Sequence, residues 1–113
     1  MKYNEVPLLD DARLLEARQL GERLAELRRA YRLRQADVAA RAGLSRSTAV
    51  LIEKGDPGRT LGQLLRYLAA IEPSISLQAL LEGRLPALDM HRARERTQRV
   101  RQLSEKELKD LDF

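Results

Sequence analysis

An all-α domain of about five helices, with a polar C-terminal extension, is the fold this sequence predicts. Apolar residues recur at spacings of three and four as far as Ile71, the pattern of buried helical faces. Cap and turn residues punctuate those stripes, with aspartate, serine or threonine ahead of them and glycine or proline behind. Apolar residues make up 43% and charged residues 34% of 113 positions, enough for one small core.

The first helix has Asp10 or Asp11 as its N-cap, before Ala12. Ala17, Leu20, Leu24, Leu27 and Tyr31 form its stripe, which ends near Arg32. Leu14 and Leu15 fit that stripe poorly and read as a separate N-terminal turn, so residues 1–17 are taken as an extension. A second helix spans Gln35 to Ala42 and stops at Gly43, suited to the left-handed residue that ends a helix. A third follows Ser45 and runs Arg46 to Lys54, ahead of a loop from Gly55 to Arg59. Thr60 and Gln63 make a capping box for the fourth. Leu61, Leu64, Leu65, Leu68 and Ile71 are its core-like positions, and Pro73 stops it.

Ser74 to Gln78 alternates with period two. It reads either as a possible short C-terminal strand, paired with the same strand of a second subunit, or as an extended connector into a short helix at Gln78–Glu82. The domain is therefore drawn at 18–82 and the polar C-terminal extension at 83–113. In that extension Leu85 to Leu88 reads as a linker, Asp89 to Gln102 as a polar helix, and Ser104 with Glu107 as another capping box. Leu108, Leu111 and Phe113 form a candidate docking motif. Arg92, Arg94, Arg96, Arg99 and Arg101 either contact DNA or an acidic partner, or belong to a solvated, disordered tail.

Composition narrows function as well. Cysteine is absent, which excludes disulfides, thiol nucleophiles and thiolate metal sites. His91 is the single histidine, so neither a Ser/His/Asp triad in the core nor a multi-histidine metal site is expected. No enzyme, no metal and no cofactor is the expectation. No apolar run suffices for a membrane span, and Met1 to Pro7 lacks the apolar stretch of a signal peptide. A cytoplasmic location follows as the default.

Net charge is +4, and its placement is informative. Residues 1–19 carry −1, residues 20–71 carry +5 and residues 72–113 are neutral. Arginine outnumbers lysine 17 to 4. Arginine forks onto phosphates and guanine edges, where lysine is a point charge. A GC-rich coding bias explains that ratio equally well, but not the concentration of the surplus in one half. Arg23, Arg28, Arg29 and Arg66 read as solvated helix faces or partners of Glu22 and Glu26. Tyr31 and Tyr67 sit at core spacing, not on a stacking platform. Gly55 to Gly58 lacks the Gly-Lys-Ser/Thr of a phosphate loop. His91 reads as an exposed tail residue.

Gln35 to Lys54 carries the functional signal. Two short helices crossing steeply need a small residue at closest approach, here Ala39, and a residue tolerant of positive φ in the turn, here Gly43. Val38, Leu44 and Ile52 fill the wedge. This is a helix-turn-helix. The stretch from Gln35 through Gly55 resembles the Xre family of repressors, the group of lambda repressor and Cro. Leu20 to Arg29 resembles that family's first helix and Thr60 to Ile71 its fourth, so the likeness spans about residues 18–82. The linkage from Glu53 to Leu61, followed by Ser74 to Leu77, is similar to the HipB-like antitoxins. That resemblance implies a dimer, repression of its own promoter, and a HipA-like kinase toxin as partner. The alternatives are a stand-alone regulator and a protein–protein module without operator binding.

A helix in the major groove reads bases from its N-terminal turn and the face beyond it. Those positions are Ser45, Arg46, Ser47, Thr48, Val50 and Leu51. Arg46 is suited to guanine O6 and N7. Gln35, at the start of the preceding helix, is placed for phosphate, with Arg34 beside it and Arg59 at the loop on the other side. The sequence departs from the family at Arg34, where Ser or Thr usually caps, at Ala49, where Ile or Val is common, and at Leu51, where a polar base reader is common. Val50 and Leu51 either meet thymine methyls, contact protein, or are partly buried without a specific role. A homodimer on a roughly palindromic double-stranded operator, acting as a repressor, is the expected function.

Overall fold

The Asp10 carboxylate accepts the Arg13 amide at 2.9 Å and so starts helix α1, Asp11–Ala30. This computed structural model describes residues 4–111, and a single 3-10 turn at Val6–Leu8 precedes α1. Helices α2 (Gln35–Ala42), α3 (Arg46–Lys54), α4 (Leu61–Ile71), α5 (Leu77–Glu82) and α6 (Pro86–Leu111) follow. The bounds of α2 and α3 are those the sequence predicts. Gly43 and Gly55 end them at φ 68° and 75°. The capping box of Thr60 and Gln63 is present in full.

Several expectations are corrected. α1 runs unbroken through positions 17 and 18, so Leu14 and Leu15 belong to it and the boundary drawn there falls inside a helix. No strand occurs among the described residues. The Ser76 hydroxyl instead accepts the Ala79 amide at 3.1 Å and starts α5, since a cap satisfies local amides that a lone strand leaves unpaired. The connector reading of 74–78 is the one found. Leu85 and Leu88 are no linker: both are buried. α6 continues through Ser104 and Glu107 without a new start there. Of the tail motif, Leu108 is exposed on α6, while the Leu111 side chain and Phe113 lie outside the described residues.

The core gathers Leu24 and Leu27 of α1, Val38 and Ala39 of α2, Ala49 and Ile52 of α3, Tyr67, Leu68 and Ile71 of α4, Leu80 of α5, and Leu85 with Leu88. Tyr31 lies outside it, exposed. On α4 the stripe Leu64–Leu68–Ile71 faces inward, and Leu61 and Leu65 are exposed. α1 and α3 meet without side chains at one point. A Cβ on Gly21 would lie 2.5 Å from the Gly55 nitrogen and 2.7 Å from the Ile52 oxygen.

Arginines close the ends of several helices. The last carbonyls of a helix lack partners and attract cations. Arg23 donates to the Leu80 and Leu81 carbonyls of α5 at 2.9 and 2.7 Å. Arg66 donates to the Ala42 and Gly43 carbonyls at the end of α2, at 3.0 and 2.9 Å. Arg28 donates to the Leu33 carbonyl at 2.9 Å and forks onto Glu53. Arg23 and Arg28 are therefore not the solvated faces expected of them, and Arg66, though exposed, is tied to the end of α2. Arg92 forks onto Glu26 at 3.1 and 2.7 Å, and that hydrogen bonding holds the Glu26 carboxyl below the ordinary carboxylate range. His91 is also more enclosed than a tail residue, with its Nε2 3.1 Å from the Glu95 carboxylate.

Candidate nucleic-acid interface

α2, Gly43 and α3 form two short helices about one tight turn. Ala39 and Ala49 are fully enclosed where the helices approach, and Val38 and Ile52 fill the wedge with half-buried Leu44. The Leu44 amide donates to the Ala39 carbonyl at 2.9 Å and the Gly43 amide to the Ala40 carbonyl at 3.1 Å. Arg66 clamps the same corner from α4. Ala49 is itself closed to solvent.

The N-terminal turn of α3 faces outward. Arg46 and Ser47 are exposed, and Arg46 has no hydrogen-bond or ion-pair partner among the described residues. The Ser45 hydroxyl caps the helix: it accepts the Thr48 amide at 3.1 Å, donates to the Thr48 hydroxyl at 2.9 Å and lies 3.1 Å from the Ser47 hydroxyl. Ser45 is thus largely occupied, whereas Ser47 keeps hydrogen-bonding capacity toward solvent. Thr48, Val50 and Leu51 are half-buried.

A polar network braces α3 from beneath. The Arg28 guanidinium pairs with both Glu53 oxygens, at 2.8 and 3.0 Å. The Tyr67 hydroxyl donates to the same carboxylate. Glu53 keeps only 8% of its side-chain exposure and Arg28 15%. The Glu53 hydrogen bond raises the Arg28 pKa, and burial together with the carboxylate raises that of Tyr67, so the first stays charged and the second stays a donor. Sequence reasoning missed this network. The available signal was Glu53 itself, an acid four residues beyond Ala49 on the inward stripe, where a carboxylate needs a partner.

The start of α2 is left open. Arg34 occupies the N-cap and makes no side-chain cap. The Asp37 and Val38 amides reach the Arg34 carbonyl, while those of Gln35 and Ala36 have no acceptor among the described residues. Gln35 is half-buried beside them and Arg34 is exposed. Arg32, two residues earlier, holds φ 56° and is the non-glycine residue at positive φ among the described residues. That conformation costs a non-glycine residue about 1–2 kcal/mol. Arg59 is half-buried, with an enclosed Nε that lacks an acceptor.

The basic surplus of residues 20–71 thus divides. Arg23, Arg28 and Arg66 tie the fold together. Arg29, Arg32, Arg34, Arg41 and Arg46 are exposed, without hydrogen-bond or ion-pair partners among the described residues. Among those residues no three His, Cys, Asp or Glu side chains group at metal-binding range, and no helix is long and apolar enough to cross a membrane.

No curated protein and no solved structure matches the chain. A family model does, over residues 19–74, from within α1 to just past α4. Its description is a helix-turn-helix domain, and that stretch of this chain is a helix-turn-helix domain.

Proposed function

We propose that the protein is a sequence-specific, double-stranded-DNA-binding transcriptional repressor that acts in the cytoplasm as a homodimer on a short, roughly palindromic operator. One observation carries this reading: the N-terminal turn of α3 presents Arg46 and Ser47 outward, Arg46 without a partner among the described residues, on a helix braced at both ends. Arg46 pairs with a guanine edge and Ser47 with either base type. Val50 and Leu51 supply apolar contact to thymine methyls, and Ser45 and Thr48 fix the turn that aims the others. The free Gln35 and Ala36 amides, with Arg34, take a phosphate at the start of α2. Arg59 takes the backbone on the other side.

A dimer sets two recognition helices about 34 Å apart, one turn of DNA. Leu61 and Leu65, one turn apart on α4, give a second copy apolar surface to cover. The antitoxin reading drew on a strand at 74–77, where the chain instead turns into α5. The proposal therefore stops at a repressor; a HipA-like kinase encoded beside the gene would restore the narrower reading.

The test is selection from a random duplex pool, followed by fluorescence anisotropy on the selected site. A palindromic consensus is expected, with affinity falling steeply as salt rises. Arg46→Ala costs about 1–3 kcal/mol and relaxes preference at one base pair per half-site. Failure to bind any duplex at any salt overturns the proposal.

Arg32→Gly and Arg34→Ser give a separate check, because stability and binding move in opposite directions. Glycine relieves the positive φ at 32 and serine supplies the missing cap at 34, each raising stability by about 1 kcal/mol. Arg34→Ser also removes the proposed phosphate contact, and Arg32→Gly an exposed charge beside it, so both weaken DNA binding evenly across sequences. Thermal melts read the first effect and anisotropy the second. Tighter melting with undiminished binding would remove the α2 start from the interface.

A further inference from the structure

α6 leaves the body of the molecule. Leu85 and Leu88 anchor its start in the core, Arg92 forks onto Glu26, and Arg94 lies 3.5 Å from the Ala30 carbonyl. The order of those contacts means that α6 runs in the direction of α1 and passes its C-terminal end. Every residue from Arg96 to Asp110 is exposed. The molecule is accordingly 65 Å long but only 32 by 26 Å across.

The end of α1 that α6 passes carries Arg29, and the turn beyond it, with Arg32 and Arg34, leads into the open start of α2. We propose that the free part of α6 is a second phosphate-binding element, lying along duplex DNA outside the helix-turn-helix and lengthening its footprint. The inference rests on the DNA-binding reading above.

Charge and its distribution favour this occupant. Between Arg92 and Arg101 five arginines face a single acid, Glu95. Arg96, Arg99 and Arg101 have no hydrogen-bond or ion-pair partner among the described residues. Beyond Arg101 the balance changes, as Lys106 and Lys109 meet Glu105, Glu107 and Asp110. The basic part of the arm is thus the part nearest the proposed phosphate contacts. At about 100° per residue, Arg94 and Arg101 lie on one flank, and Arg96 with Arg99 on the opposite one. A second copy packed on either flank brings like charges together. Val100, Leu103 and Leu108, spaced three and then five, make no continuous seam for a coiled coil. A duplex groove has a phosphate ridge on each side and neutralises both flanks.

The experiment compares the full chain with the variant Arg94→Gln/Arg96→Gln/Arg99→Gln/Arg101→Gln, whose glutamines keep helix propensity. The probes are the selected site alone, about 20 bp, and the same site centred in about 40 bp of duplex. On the longer probe the variant is expected to bind at least tenfold more weakly, with a log–log salt slope shallower by about 2–4. On the short probe the two proteins differ much less, and sequence preference is unchanged. Circular dichroism checks the helix, and sedimentation the oligomeric state. Equal affinity and slope on the longer probe overturn the arm's role while leaving the helix-turn-helix reading intact. A changed oligomeric state with unchanged DNA binding overturns it in favour of a protein contact. Failure of the parent chain to bind either probe overturns both readings.

Discussion

Gly21→Ala is expected to destabilise the domain by about 3 kcal/mol or more, the upper end of overpacking costs, and Gly21→Val to leave it unfolded. A domain of this size has about 5–15 kcal/mol in all. The new Cβ would sit 2.5 Å from the Gly55 nitrogen, 2.7 Å from the Ile52 oxygen and 2.8 Å from the Glu53 oxygen. All three are backbone atoms at the end of α3, so no rotamer change makes room and the helices must separate. Gly55 faces the same crossing at φ 75°, where a side chain would strike the Ala17 carbonyl and the Arg18 Cα. Gly43→Ala is the internal control. Its φ is also positive, but the nearest atom is the Arg66 guanidinium at 3.8 Å. Only the left-handed penalty of about 1–2 kcal/mol applies there. Denaturant titration of the three variants reads the difference. A Gly21→Ala cost no larger than that of Gly43→Ala would mean that the α1–α3 contact yields, and that α3 is not held where this packing puts it.

The local chemistry of the chain was legible from its residues. Gly43, Ser45 and the Thr60–Gln63 box specify their own backbone geometry within a few positions, and α2 and α3 begin and end where those residues place them. Periodicity told which face of a helix goes inward but not what it meets. Arg28 and Glu53 are 25 positions apart, and Arg66 and Ala42 are 24 apart, so neither pairing leaves a local trace. The same limit applies to α4. Five apolar residues in one short helix cover more than one face, and Leu61 and Leu65 took the solvent side. Leu85 and Leu88 were hidden by Pro86, which suggests a linker yet is a favoured first residue of a helix. At the candidate interface, outward-facing Arg46 followed from the turn. That the Gln35 and Ala36 amides find no acceptor among the described residues, and that the Ser45 cap also engages the Ser47 and Thr48 hydroxyls, needed coordinates.

Glu53→Ala carries the other large expected effect, a loss of about 3–5 kcal/mol, the usual cost of breaking a buried ion pair by removing one partner. It strands the Arg28 guanidinium in a site with little solvent and takes the acceptor from the Tyr67 hydroxyl. Tyr67→Phe removes only a hydroxyl, and its cost is about 0.5–1.5 kcal/mol. The double variant Arg28→Met/Glu53→Met is the informative one. Both charges leave together, the apolar stems fill similar volume, and most of the stability lost by Glu53→Ala returns. Its DNA binding need not return. Arg46 and Glu53 lie about 10 Å apart along one rigid helix, so a small tilt at the braced end moves the guanidinium that reads the base. Urea denaturation should therefore rank Glu53→Ala well below both Tyr67→Phe and the double variant. Anisotropy on the selected duplex should show the double variant folded but weaker, with its remaining preference blurred at the Arg46 base pair. Parent-like affinity in that variant would reduce the network to a stability device, and the aim of α3 would then rest on the Gly21–Gly55 crossing and the Arg66 clamp alone.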